Sequence, residues 1–265
     1  MATEEANQEQ MPKMHPSILK IINQKKEIRT KLAAIKHKIG VYSAKGGVGK
    51  TTVAVNLAFA MKEQGYSVGL LDADIDCPNV TLFLGISDYV EQGYPLKPQE
   101  VNGVKVLSTA MFTDDAKKPI IWRGPLIAKM ISEFFENTEW GELDYLIIDL
   151  PPGTSDAPLS IIQLLELDGF VIVTTPPKIA SINAMRSGMM AKRLGVAILG
   201  VVENMSSGDP RGGKETAEVL GCDFLGTIKN DPALSTLSDE GKVPVLEDER
   251  IRQEFINIIK KITNR

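Results

Sequence analysis

Three glycines, two lysines and a threonine crowd into eight residues, Ala44 to Thr51 (AKGGVGKT). Glycines at 46, 47 and 49 let the backbone come close to a polyphosphate, so that successive amides and the start of a following helix face its negative charge. The cradle runs through Gly46, Gly47, Val48, Gly49, Lys50, Thr51 and Thr52. Lys50 supplies a full positive charge to the β and γ phosphates, and the Thr51 hydroxyl is a hard oxygen suited to Mg²⁺. Ala44 stands where the usual pattern begins with glycine. Lys45 is one lysine more than such a loop needs, and taken alone it reads equally well as a solvated surface charge.

Carboxylates complete the chemistry. Asp72 and Asp74 end the apolar run SVGLLDAD, and Asp149 ends YLIID. Phosphoryl transfer depends mostly on placement and charge compensation, so one such aspartate orients the metal shell and another positions the attacking water. We assign Asp149 to the Mg²⁺ shell with Thr51, and Asp74 to the water. Strand alternation predicts that Asp72 and Asp74 point the same way. After Asp149 the turn LPPGTSD is stiffened by Pro151 and Pro152, and its Gly153 amide is expected to meet the γ-phosphate and sense hydrolysis.

Positioning these groups requires strands that end at them. Ile39 to Ser43 precedes the glycine loop as a short apolar run, and Thr52 to Gln64 follows it with apolar residues at helical spacing. Further apolar runs recur at Ser67–Leu71, Val104–Leu107, Tyr145–Ile148, Phe170–Thr174, Ile198–Val202 and Phe224–Ile228, with helical segments between them. Such alternation predicts an α/β, doubly wound, mainly parallel sheet of about seven or eight strands with helices on both faces. Sheets of this kind bind ligands at the carboxyl ends of their strands, where every motif above falls. Glu249 to Arg265 reads as a closing helix with Ile251, Phe255, Ile258, Ile259 and Ile262 on one face.

The organisation expected is a disordered tail over residues 1–16, a basic amphipathic helix over 17–37 packed on the domain, and one domain over 38–265. Between Ser17 and Lys38 there are seven Lys or Arg and one Glu, with Ile18, Ile21, Ile28, Leu32 and Ile35 on one helical face. At 265 residues, 43% hydrophobic and 24% charged, the chain reads as an ordinary soluble protein. A net charge of −4 gives no general pull toward nucleic acid or anionic membrane, and neither partner is expected. Neither a secretory signal nor a membrane-length apolar run is legible, so the expected location is cytoplasmic. The two cysteines, Cys77 and Cys222, form no CxxC pair.

Taken together, KGGVGKTT (45–52), DADI (72–75), WRGP (122–125), WGELDYLIIDLPPGTSD (140–156), VTTPP (173–177), VVENMS (201–206) and the stretch from Asp231 to Lys242 resemble the Mrp/ApbC family. These are P-loop ATPases of the deviant Walker A class, which also holds MinD, ParA and the nitrogenase iron protein. The resemblance covers roughly residues 30 to 260. It implies ATP and Mg²⁺ as ligands, slow ATP hydrolysis, and a homodimer that sandwiches nucleotide. Lys45 is then similar to the signature lysine that crosses the two-fold interface to the partner's phosphates. Asp74 matches the switch I catalytic aspartate and Asp149 the Walker B residue. Asn204 is placed like the residue that hydrogen-bonds adenine, and Asp231 with Pro232 forms the other side of the base pocket.

Relatives of this type serve iron–sulfur cluster assembly or transfer to apo-protein clients, commonly through a CxxC pair shortly after ENMS. Here that stretch runs SGDPRGGKETAEVLGC, without the pair. Any iron–sulfur cluster must therefore use lone cysteines, and Cys77, where similar proteins carry glycine, is the candidate ligand; Cys222 reads as a small buried residue. The alternative is a MinD/ParA-like positioning ATPase that binds a membrane or DNA surface when ATP-dimerised, motivated by the basic N-terminal helix and by Lys260, Lys261 and Arg265. A nucleotide-regulated binding module with negligible turnover is a third reading.

Overall fold

The computed structural model describes residues 26–86, 95–112, 134–153 and 156–264. The expected tail (1–16), the first half of the basic helix and the WRGP motif lie outside the described residues. Within them, helix α1 covers 26–32 and the chain then enters strand β1, Ile35–Tyr42. The expected helix therefore ends five residues early. Ile35 pairs in parallel with Leu143 and Ile39 with Ile147, so sheet hydrogen bonding captures a stretch whose apolar spacing also suits a helix.

In chain order there follow α2 (Lys50–Glu63), β2 (Val68–Asp72), the short α3 (Val80–Phe83), β3 (Gln99–Val101), β4 (Val104–Ser108), β5 (Leu143–Asp149), α4 (Asp156–Leu165), β6 (Gly169–Thr174) and α5 (Lys178–Arg193). The chain continues through β7 (Ile198–Ser206), α6 (Arg211–Leu220), β8 (Phe224–Lys229), α7 (Pro232–Asp239), α8 (Pro244–Glu247) and α9 (Glu249–Thr263). The strands form one eight-stranded sheet in the order β3-β4-β2-β5-β1-β6-β7-β8. Every ladder is parallel except β3 against β4. The doubly wound, mainly parallel sheet is thus the observed architecture.

β3 escaped the sequence reading because it is three residues long. Its signal is the Asn102–Gly103 pair that joins it to β4. Both residues are left-handed, at φ 46° and 78°, as a two-residue hairpin turn demands.

β2 and β6 are buried along their whole length, which is why both read as unbroken apolar runs. One core layer packs α2 and α9 on the sheet, with Phe59, Met61, Leu70, Ile147, Phe255 and Ile258 inside it. The other face carries Leu32, Leu71, Leu146, Ile148, Phe170 and Leu220, so α1 is anchored by its predicted apolar stripe. Its basic neighbours meet carboxylates of the same chain: Arg29 with Glu166 at 3.5 Å, Lys36 with Asp144 at 2.8 Å and Lys38 with Asp168 at 3.4 Å.

Candidate functional site

Register places the site. Val41 of β1 and Asp72 of β2 both lie opposite Asp149 of β5, so three neighbouring strands release their chains at one height. β1 is also where the strand order reverses, with β5 on one side and β6 on the other. The glycine loop leaves β1 there and runs into α2, whose first residue is Lys50. Gly49 caps that helix at φ 79°, ψ 31°, a left-handed conformation that glycine adopts without strain. A Cβ on Gly49 would lie 2.1 Å from the Asn204 side-chain nitrogen, so the position also lacks space. Ser43 Oγ donates to the Lys45 carbonyl at 3.0 Å and braces the loop from its first turn.

Lys50 and Asp149 are both buried, and the ammonium forms a close ion pair with Asp149 Oδ1. Asp149 Oδ2 accepts the Thr51 hydroxyl at 2.6 Å. One carboxylate thus bridges the two loop residues expected at the phosphates and the metal. Lys45 is exposed in the loop.

Asp74 is 6% exposed, and burial pushes its carboxyl up to about 6, with Lys50 opposing and Asp149 reinforcing the shift. Its Oδ1 accepts the Cys77 amide at 3.3 Å. The expected alignment with Asp72 along one strand does not hold, because β2 stops at Asp72 and Asp74 belongs to the loop. The Ala73 amide still donates to the Asp149 carbonyl at 2.9 Å, one residue past the end of the strand. Asp72 instead organises the loop. Its carboxyl accepts the Asp74 amide at 3.1 Å, the Val80 amide at 3.1 Å and the Ser108 hydroxyl at 3.1 Å. Burial first, and then Asp149, raises its carboxyl to about 7.

Gly153 differs from expectation as well. Its amide donates to the Ser43 carbonyl at 3.0 Å, and its carbonyl accepts the Tyr42 hydroxyl. The expected phosphate contact requires that first bond to break. Tyr42 is fully buried, which raises its phenol, and the hydroxyl also lies 3.8 Å from Met190 Sδ. Nothing in the sequence pattern singled out Tyr42.

On the other side of the loop, Asn204 sits near the end of β7 and donates its Nδ2 to the Val48 carbonyl at 2.9 Å. A cavity of about 260 Å³ opens beside it, lined among others by Thr52, Phe83, Asn204, Met205, Asn230 and Asp231. Asn204 and Asp231 therefore face one space. Pro232 is exposed at the first turn of α7, where its fixed φ suits a helix start, and does not line the cavity. Asp231 caps that helix through the Ala233 amide at 2.9 Å. Asn56 was also missed: fully buried in α2, it donates to the Thr52 carbonyl at 2.9 Å and accepts the Val245 amide at 3.0 Å.

Cys77 is exposed in the loop after Asp74, and Cys222 is half-buried against the second core layer. Among the described residues no group of three or more His, Cys, Asp or Glu side chains is arranged for a metal ion. No helix among them is long and apolar enough to cross a membrane.

This geometry has known counterparts. The chain is 40% identical to the iron-sulfur cluster carrier protein of Methanocaldococcus jannaschii, over 92% of this chain and 90% of the relative. It is 37% identical to the one from Saccharolobus solfataricus, over 97% and 94%. Among solved structures, a nucleotide-binding protein from Archaeoglobus fulgidus in complex with ADP superposes with a TM-score of 0.73 at 35% identity, covering 88% of this chain and 95% of that one. The cell division ATPase MinD of Pyrococcus furiosus, at 23% identity and a TM-score of 0.69 over 86% and 99%, shares the fold. A family profile described as ParA, NUBPL iron-transfer P-loop NTPase, matches residues 34–263. The chain belongs to that family of P-loop NTPases.

Proposed function

We propose that this protein is a slow, dimeric Mg²⁺-dependent ATPase that serves iron–sulfur cluster assembly or transfer in the cytoplasm, with an apo iron–sulfur protein as its client. The observation that carries the reading is the Asp149 carboxylate shared by Lys50 and Thr51, with Asp74 on the adjoining loop. The relatives' name, iron-sulfur cluster carrier protein, supports the choice of cargo.

The chemistry follows from placement. The Thr51 hydroxyl and the Asp149 carboxylate are hard oxygens side by side and fit Mg²⁺. Bound there, that ion neutralises charge on the β and γ phosphates. Lys50 adds a second positive charge from the cradle, and the loop amides from Gly46 to Thr52 donate to the phosphate oxygens. Asp74 holds the attacking water in line. Lys45, exposed in the loop, extends to the phosphates of the nucleotide in a second copy and so couples ATP to dimer closure. Asn204 and Asp231 flank the adenine.

The cluster question turns on thiolates. Without a CxxC after Ser206, Cys77 is the exposed thiol beside the nucleotide loops, and two copies meeting across the dimer present a pair. The test is anaerobic reconstitution with iron and sulfide on wild type and Cys77→Ser. Thiolate-to-iron absorption and transfer to an apo-acceptor by wild type, both lost in the variant, support the carrier role. Neither signal in wild type, with ATP hydrolysis intact, sinks it.

A further inference from the structure

We infer that Glu203 is a positioning residue that sets the base selectivity of the nucleotide site, although it touches neither the cavity nor the P-loop. The inference rests on reading the Asn204–Asp231 cavity as the base site. Glu203 is fully buried next to Asn204, and both its carboxyl oxygens are taken. Oε1 accepts the Ser206 hydroxyl at 2.8 Å, and Oε2 accepts the Gly213 amide in the first turn of α6 at 2.7 Å.

Between Glu203 and Ser206 the backbone does something costly. Met205 is left-handed at φ 55°, a conformation disfavoured for a side-chain-bearing residue, and it lines the cavity. The Glu203–Ser206 hydrogen bond closes a loop around that turn and holds it. Asn204, inside the loop, is thereby aimed at Val48, with its Nδ2 at 2.9 Å from the carbonyl. Ser206 also reaches the opposite wall: its carbonyl accepts the Asn230 amide at 3.1 Å, next to Asp231. The buried carboxyl therefore joins the α6 terminus to Ser206, whose own carbonyl carries the link on to the Asn230 wall.

Space around it is closed to alternatives. A Cβ on Gly213 would lie 2.8 Å from Glu203 Cβ and 2.7 Å from the Phe224 ring, and one on Gly212 would lie 2.5 Å from Ser181 Oγ. The two glycines let α6 approach close enough for its Gly213 amide to reach the carboxyl. This explains why the segment after Ser206 carries RGG at a helix start, where glycine is otherwise unfavourable.

The experiment measures dissociation constants for Mg-ATP, Mg-GTP and Mg-tripolyphosphate on wild type, Glu203→Ala, Glu203→Gln, Ser206→Ala and Asn204→Ala. Glu203→Ala is expected to lose about tenfold of the ATP-over-GTP preference while tripolyphosphate binding stays within about twofold. Glu203→Gln keeps an acceptor for Gly213 and a partner for Ser206, and should retain most of the preference. Ser206→Ala removes one of the two bonds and should lose about threefold, which decides the matter if Glu203→Ala does not fold. A preference unchanged in Glu203→Ala and Ser206→Ala, or an equal loss for tripolyphosphate, overturns the positioning role. If Asn204→Ala keeps the wild-type preference, or wild type has none, the base-site reading fails; if Asn204→Ala loses the preference and Glu203→Ala does not, only the inference about Glu203 fails.

Discussion

Asn204 bonds to the Val48 carbonyl across 156 residues of chain, at 2.9 Å, and so makes the wall of the cavity beside it and the glycine loop one piece. Gly49 lies directly beneath that contact, left-handed and with no room for a methyl group. Gly49→Ala is expected to weaken Mg-ATP binding about tenfold or more, since strain and clash both fall on the cradle. Isothermal titration of the folded variant reads this directly.

Lys45 and Lys50 should separate cleanly. With a non-hydrolysable ATP analogue, wild type is expected to sediment as a dimer and Lys45→Ala as a monomer that binds the analogue within about threefold of wild type. Lys50→Ala should lose binding itself. A Lys45→Ala dimer as stable as wild type would remove the crossing lysine from the reading.

Asp74→Asn is expected to bring hydrolysis to background while Mg-ATP affinity changes little, because the group acts on the water and not on the ground-state phosphates. Single-turnover phosphate release checks it. Turnover at the parental rate would reassign the water-positioning residue.

The Asp72 carboxyl, raised to about 7 by burial and by Asp149, makes stability pH-dependent. Its folded value exceeds the ordinary carboxylate value, so the folded protein binds the proton more tightly than the unfolded chain. The resulting stabilisation is fully present below about pH 4, and is lost as pH rises through about 7. Nucleotide-free protein should therefore melt higher at pH 5.5 than at pH 8, and Asp72→Asn should shrink that difference whatever its own melting temperature, the remainder coming from Asp74, whose carboxyl is raised to about 6. Asp144, held down to about 2 chiefly by its hydrogen bond to Lys36, stays ionised across this window and contributes no slope.

Asn56→Ala leaves the Val245 amide without its acceptor inside the core. A loss of about 1–3 kcal/mol in unfolding free energy is expected, with ATP affinity changed by no more than about threefold, because the side chain joins α8 to the Thr52 carbonyl inside α2 and leaves the loop amides in place. Denaturant titration measures the first and nucleotide binding the second.

Much of the site was legible because its elements are local. Glycines at fixed spacing between an apolar strand and an amphipathic helix name the phosphate loop, and strand-end aspartates name its partners, all within short windows. The alternating runs named the parallel sheet for the same reason: strands covered on both faces must be apolar throughout. Asn204, Asp231 and Cys77 needed the family resemblance, since an asparagine in VVENM or a lone cysteine carries no local periodicity. The helix boundary at residue 32 was misplaced because Ile35 fits a helical stripe and a sheet ladder alike.

By itself the sequence determined the class of fold, the cradle and the residue types that compensate polyphosphate charge, because those depend on composition and spacing over a few residues. Tertiary structure alone decided that Asp149 bridges Lys50 and Thr51 across about a hundred residues, and that Asp72 holds the backbone of its own loop through the Asp74 and Val80 amides. It also decided that Glu203 and Tyr42 anchor the two flanks of the site. Hydrogen-bond partners of buried polar groups are chosen by which strands lie side by side and at what register, and pairing over such distances in the chain leaves no periodic trace in the sequence.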